Sequence, residues 1–304
     1  MRDRFITFVL RFGKRRTKRQ KNRFIAMLID YMEPLGYGLK VHQFKHAGRN
    51  GRNIIVGNLA EAKKIYLADY DTKERILNED YRYYPFDDQF NIQSLKMNLM
   101  KYLIAAVIFF VLMVIAILLA PSQEATMKYV YYGIAIAFAL ISYFSMKGLP
   151  SPYNFKKTAT LFLLCELAKT ERECCYVFLD YSSFAGAGKY YFFQEYDLDG
   201  KLVVYLDNAG QGSKTVALIS DNADRDYIKQ LQKLEKLTEV QVSHNDSATE
   251  KNFLYLYLTL CEKDEEQRCY IDQIGTRTDS EFSEEAYLAF ADVLEKLVNI
   301  KKQS

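Results

Sequence analysis

Side chains able to ligate a metal, attack a carbonyl or cradle a phosphate are few in this 304-residue chain, and their spacing argues against most such chemistry. His42 and His46 fall in a strand-like segment and His244 stands alone in a polar loop, so all three read as ordinary residues. Five cysteines (Cys165, Cys174, Cys175, Cys261 and Cys269) form an odd set without metal-ligand spacing. The adjacent pair Cys174 and Cys175 suits neither an ordinary disulfide nor a zinc knuckle, so reduced thiols are expected. Gly210-Gln211-Gly212-Ser213 lacks the Gly-Lys-Ser/Thr ending of a phosphate-binding loop. Ser182 and Ser183 have no evident base partner that would make either a nucleophile. What remains is carboxylates where apolar runs end: Asp69 and Asp71 after 65–68, Asp180 after 175–179, and Asp207 after 202–206.

The elements that must position these groups are interrupted by two long apolar runs. Residues 102–120 and 129–146 carry no charge, and only a short polar link with Pro121, Glu124 and Lys128 separates them. At ~1.5 Å per residue each is just long enough for a hydrocarbon core of ~30 Å. Tyrosines near their ends (Tyr102, Tyr129, Tyr131, Tyr132 and Tyr143) suit membrane interfaces, so a transmembrane hairpin is expected over 101–147. Lys96 and Lys101 precede it and Lys147, Lys156 and Lys157 follow, which puts residues 1–100 and 148–304 in the cytoplasm by the positive-inside rule. Absence of tryptophan with abundant Tyr, Lys and Ile points to a low-GC bacterium, and so to a bacterial plasma membrane.

Charge is unevenly shared. Residues 1–150 hold 23 Lys/Arg against 12 Asp/Glu, while 151–304 hold 18 against 26. Much of the basic excess is Arg11, Lys14, Arg15, Arg16, Lys18, Arg19, Lys21 and Arg23. Beside a membrane, such a run is read as a contact with anionic lipid rather than nucleic acid. Residues 1–21 form a separate segment in this reading, with Phe5, Ile6, Val9 and Phe12 as the apolar face of an interfacial helix.

The remaining chain, 22–100 and 148–304, alternates strands with helices. Strands are expected over 39–44, 53–57, 64–68, 175–179 and 202–206, with a turn at 48–51. Helices are expected over 22–36, 158–170, 188–195, 224–237 and 283–300; 252–260 is a mixed apolar run. That order predicts an α/β domain: a mixed β-sheet flanked by helices on both faces, with the hairpin inserted because neither flank has strands enough alone. The aromatic run Tyr190-Tyr191-Phe192-Phe193 reads as packed core, not as a base-stacking surface.

Five short stretches, in order, resemble the motifs of the co-catalytic zinc aminopeptidases of peptidase family 28. These are the strand ending in Asp69-Tyr70-Asp71-Thr72, the helix Leu163-Leu164-Cys165-Glu166-Leu167-Ala168-Lys169 and the strand Val177-Phe178-Leu179 leading into Asp180-Tyr181-Ser182-Ser183. Leu206-Asp207-Asn208-Ala209-Gly210-Gln211-Gly212 and Gly275-Thr276-Arg277-Thr278-Asp279 complete the series. The resemblance implies two zinc ions held by His, Asp, Glu, Asp and His, with a further Glu as general base. Carried over by residue, the first histidine falls on Asp69 and the bridging aspartate near Lys156 or Asn154. The base and the ligand glutamate fall on Ser182 and Ser183, and the last histidine on Gly275. Asp207 alone keeps a ligand identity, and Asp71 keeps a supporting position.

The expectation that follows is a vestigial pocket of Asp69, Asp71, Lys156, Asp180, Ser182, Ser183, Asp207 and Gly275, with no zinc and no cofactor. Lys156 would balance the carboxylates. An alternative is an oxygen-only site for Mg²⁺ or Ca²⁺ at Asp69, Asp71, Asp207 and Asp180. The functional expectation is a membrane-anchored protein that is no longer an enzyme. It would act as a binding or scaffold subunit for a peptide or membrane partner. The alternatives are a residual metal-dependent hydrolase and, third, a component of a transport complex.

Overall fold

The computed structural model describes residues 1–72, 74–122, 124–149, 153–181, 186–243 and 253–300. Helices α1 (Arg2–Phe12) and α2 (Lys18–Met32) precede a hairpin of β1 (Leu39–His46) and β2 (Arg49–Val56). That hairpin turns at Ala47 and Gly48, both with positive φ, which fits the right-handed twist of the strands it joins. β3 (Lys64–Asp69) and the short β4 (Arg82–Tyr83) lead into α3 (Asp88–Leu119) and α4 (Ala125–Lys147). Beyond them come α5 (Phe155–Thr170), β5 (Cys175–Leu179), α6 (Ala187–Glu195), β6 (Leu202–Leu206) and β7 (Lys214–Ser220). The chain closes with α7 (Arg225–Gln232), β8 (Glu239–Ser243), β9 (Leu254–Lys263), β10 (Cys269–Asp272) and α8 (Glu284–Asn299).

Ten strands form one mixed sheet in the order β1-β2-β5-β3-β6-β9-β10-β4, with β7 pairing β9 and β8 at the side. β5, β3, β6 and β9 are parallel, and β3, from before the long helices, lies between β5 and β6, from after them. β5 and β6 are buried at every position, the pattern of strands covered on both faces. One face packs on α1, α2, α5, α7 and α8 through Tyr66, Ala68, Phe178, Val204 and Leu256. The other face packs on α6, where Phe192 meets Val177, Leu179 and Val203. The expected α/β sandwich is therefore the observed one, helices covering both faces. The mixed apolar run before residue 260 is β9; β4, β7, β8 and β10 were not anticipated.

α3 and α4 are long and apolar enough to cross a membrane. They pack side by side, with Ser142 donating its hydroxyl hydrogen to the Ala106 carbonyl at 2.9 Å and Phe109 lying against Phe138. Their outer side chains, Leu103, Phe110 and Leu118 among them, are exposed, which suits a lipid surround. α3 begins not near residue 102 but at Asp88, capped by Asp87, which accepts from the Phe90 amide at 2.9 Å. Its 32 residues extend ~48 Å, more than a bilayer core requires. The first three turns belong to the globular domain, where the Asn98 amide group bonds Leu77 and Arg75.

The N-terminal helix corrects an expectation. α1 is not an interfacial helix: Phe5 is fully buried, stacked on Phe282 at 4.0 Å and edge-on to Phe155, and Val9 is buried with it. The globular core offers that apolar face a dry partner, so none is left for lipid. Part of the basic run is likewise internal. Arg15 is fully buried and donates to the carbonyls of Tyr70 and Phe12 and to the Thr158 hydroxyl. Burial pushes its pKa down to about 9, against the pull of Asp71, so it stays charged at neutral pH. Arg16 bonds Gly148 and Glu74, and Lys21 pairs with Asp180. These three are engaged with protein partners, whereas Arg11, Lys14, Lys18, Arg19 and Arg23 are exposed.

Candidate functional site

Parallel strands end together, so residues following their carboxyl ends gather at one edge of the sheet. β3 ends at Asp69, and Asp207 follows β6, the neighbouring strand. The side chain filling the space between them comes from the first turn of α5. Lys157 pairs closely with Asp207 Oδ1, and its Nζ lies 3.8 Å from Asp69 Oδ2. Tyrosines steer both carboxylates. Tyr205 donates to Asp69 at 2.7 Å, and Tyr257, opposite it on β9, donates to Asp207 at 2.6 Å. The Tyr83 ring faces the ammonium, its centroid 5.7 Å from Nζ.

Charge explains the arrangement. Burial raises the Asp69 carboxyl above its ordinary pKa; Lys157 lowers it and the neighbouring Asp71 raises it again. Burial would lower the Lys157 ammonium, but Asp207 and Asp69 outweigh it and the pKa ends raised. A lysine so held is a fixed cation, not a neutral amine ready to attack a carbonyl.

A cavity of about 220 Å³ opens onto this group. Asp69, Asp71, Lys157 and Gly275 line it, together with Tyr81, Tyr83, Tyr205 and Tyr257. α3 supplies another part of the wall through Asn91, Ile92 and Leu95, so the helix that runs on into the long apolar hairpin also shapes the pocket.

The expected site residues divide. Asp69, Asp71, Asp207 and Gly275 lie in or directly behind the pocket. Asp180 belongs to another contact, paired with Lys21 and accepting from the Arg52 amide at 3.2 Å. Lys156 does not balance the pocket. It is buried on another side of α5, its Nζ 3.9 Å from Asp279 Oδ1, and that distance leaves charge attraction without a hydrogen bond. Consecutive helical residues project ~100° apart, which separates the two lysines. Gly275 sits in a turn with φ +72°, its amide bonded to Asp279 at 2.9 Å. Ser182, Ser183 and His244 lie outside the described residues. His42 is buried beside Glu195, its Nε2 2.8 Å from the carboxylate, away from the pocket. Lys157 and the tyrosines were missed; the signal available was Tyr205 two residues before Asp207, a spacing that puts both on one face of a strand.

The zinc pair implied by the motif resemblance does not fit these side chains. Asp69 and Asp207 are turned toward an ammonium and two phenols, and Gly275 offers no ligand atom. Among the described residues no three His, Cys, Asp or Glu side chains come together as a metal group.

No family model matches the chain, and no curated protein matches it in sequence. Solved structures do match in fold. Glutaminyl cyclase from Porphyromonas gingivalis aligns over 98% of this chain and 98% of its own, with a TM-score of 0.58 at 13% identity. Glutaminyl cyclase from Bacteroides thetaiotaomicron, bound to N-acetylhistamine, aligns over 98% and 96%, with a TM-score of 0.51 at 13% identity. A leucine aminopeptidase precursor from Bacteroides thetaiotaomicron aligns over 99% and 94%, with a TM-score of 0.48 at 13% identity. The two glutaminyl cyclases are enzymes, and they overturn the expectation that this chain is not one: lost zinc ligands do not exclude catalysis on an enzyme fold. The chain has the fold of these glutaminyl cyclases, joined to two helices long and apolar enough to span a membrane.

Proposed function

We propose that the chain is a membrane-anchored protein whose pocket holds a short peptide terminus or a partner's loop at the cytoplasmic face. The observation that carries this reading is the joint construction of the pocket. Asp71, just beyond β3, and Lys157 of α5 line it together with Ile92 and Leu95 of α3. Such a lining, apolar side chains and tyrosine rings on one part and charged groups on another, suits a small segment with one polar end. Arg16, bonded to the Gly148 carbonyl at 2.8 Å, holds the basic turn at the foot of α4. Arg11, Lys14, Lys18, Arg19 and Arg23 then contact anionic headgroups there, each contributing about 1 kcal/mol.

The test is thermal unfolding of the detergent-purified full chain with short peptides carrying free or blocked termini, for wild type and Ile92→Lys. A rise in melting temperature with one terminus class, lost in Ile92→Lys, supports the reading. No rise with any peptide at millimolar concentration sinks it. Release of an amino acid or of a cyclised product, followed by mass spectrometry, would replace holding with turnover. Labelling of single cysteines placed in the basic turn, in sealed inside-out and right-side-out vesicles, tests the orientation.

A further inference from the structure

We infer that the cation of this pocket is part of the chain: the Lys157 ammonium occupies the place between Asp69 and Asp207 that a bound metal would need. Without it the same oxygens form a site for a divalent, oxygen-preferring ion. The inference concerns the pocket's own charge and does not depend on which ligand the pocket holds.

Two carboxylates at the ends of neighbouring parallel strands, with Asp71 close by, repel one another unless a cation stands between them. Asp207 is almost completely buried, and both of its oxygens are engaged, Oδ1 by Lys157 and Oδ2 by Tyr257. Asp69 Oδ2 is held by Tyr205 at 2.7 Å and lies 3.8 Å from the ammonium. The tyrosines thus fix where the carboxylates point, and they converge on Nζ. An ammonium is a compact point charge on a flexible stem, able to reach such a place from the first turn of a helix. The donors left when it is removed are carboxylate and phenol oxygens. That set matches Mg²⁺, Ca²⁺ or Mn²⁺ better than zinc, which favours nitrogen and sulfur.

The experiment uses the full chain in detergent, as wild type, Lys157→Ala, Lys157→Met and the double variant Lys157→Met with Asp207→Asn. Each is melted with chelator, with millimolar Mg²⁺, Ca²⁺, Mn²⁺ or Zn²⁺, and with ethylammonium, and divalent-ion binding is followed by titration calorimetry. The wild type is expected to melt at the same temperature under all these conditions and to bind no divalent ion. Lys157→Ala is expected to melt several degrees lower, and to recover with ethylammonium or an oxygen-preferring ion. The double variant, lacking both the ammonium and one negative charge, is expected to melt above Lys157→Met alone and to ignore metal. A wild type that binds a stoichiometric divalent ion or is destabilised by chelator overturns the inference. So does Lys157→Ala that melts like the wild type, or that neither ethylammonium nor any divalent ion restores. Should Lys157→Ala fail to fold, the comparison of Lys157→Met with the double variant decides: no gain from Asp207→Asn overturns it.

Discussion

Tyr102, at the start of the uncharged run of α3, donates its hydroxyl hydrogen to the backbone carbonyl of Arg75 at 3.0 Å. One turn earlier Asn98 donates to the same carbonyl at 3.2 Å and accepts from the Leu77 amide at 2.9 Å. Arg75 in turn donates its amide to the Leu149 carbonyl, just after α4. Both long helices are therefore fastened to a single strip of chain, 74–77, two residues of which line the pocket. Asn98→Ala leaves the Leu77 amide without its acceptor and should cost about 1–3 kcal/mol. Tyr102→Phe should cost about 0.5–1.5 kcal/mol. Denaturation in detergent measures both, and hydrogen exchange should quicken at 75–77 in each. Unchanged exchange there would mean that the strip is held by other contacts.

The burial of α1 makes two nearby substitutions diverge. Phe5 lies among Phe155, Phe162 and Phe282, whereas Leu10 is 73% exposed. Phe5→Ala should cost about 3–5 kcal/mol through the cavity it leaves. Leu10→Ala should stay within about 0.5 kcal/mol of wild type. Equal, small effects would return α1 to the surface role first expected of it.

What could be read from sequence follows from how local each signal is. β5 and β6 announce themselves as unbroken apolar runs, and the two long helices as uncharged ones. β8 is half-buried throughout and is defined by pairing with β7, which no local pattern reports, whereas β7 itself carries a local apolar run, Val216-Ala217-Leu218-Ile219, that the strand reading leaves unused. The basic run shows the limit of charge counting. Arg15 and Lys14 are alike on paper, yet one is sealed under Thr72 and Tyr70 and the other is exposed. The cation expected in the pocket falls one position away, at Lys157 and not Lys156. Motif comparison fixes a position only as well as its alignment, and on a helix one step exchanges pocket for core.

The contact between α6 and the end of β5 depends on a missing side chain. A Cβ on Gly188 would lie 2.0 Å from the Asp180 carbonyl oxygen and 2.7 Å from Asn53 Oδ1. Neither neighbour is free to retreat. Asn53 is buried, accepts from the Asp180 amide at 2.9 Å and donates to the Gly188 carbonyl at 2.8 Å, tying β2, β5 and α6 together. Gly188→Ala should therefore destabilise by about 1–3 kcal/mol or more through overpacking, although alanine is the better helix former. A variant as stable as wild type in urea would show that α6 can shift without loss.

The buried pair of Lys156 and Asp279 gives a pH-dependent prediction. Burial raises the Asp279 pKa, and Lys156 and the Gly275 amide oppose the rise. Lys156→Met keeps the packing but leaves a buried carboxylate without its counter-charge, a change that should cost about 3–5 kcal/mol at neutral pH. With the lysine gone, the folded-state pKa of Asp279 climbs further. Between the unfolded value near 3.8 and that raised value, the folded state binds the proton more tightly than the unfolded chain. Stability of the variant must then rise as pH falls through this window and drop as pH climbs through it. The gap between Lys156→Met and wild type should accordingly narrow from pH 7 toward pH 5 in denaturation series at fixed salt. Adding Asp279→Asn should remove most of the gap at both pH values. A gap that stays constant with pH would mean that Lys156 acts through its packing and not through its charge.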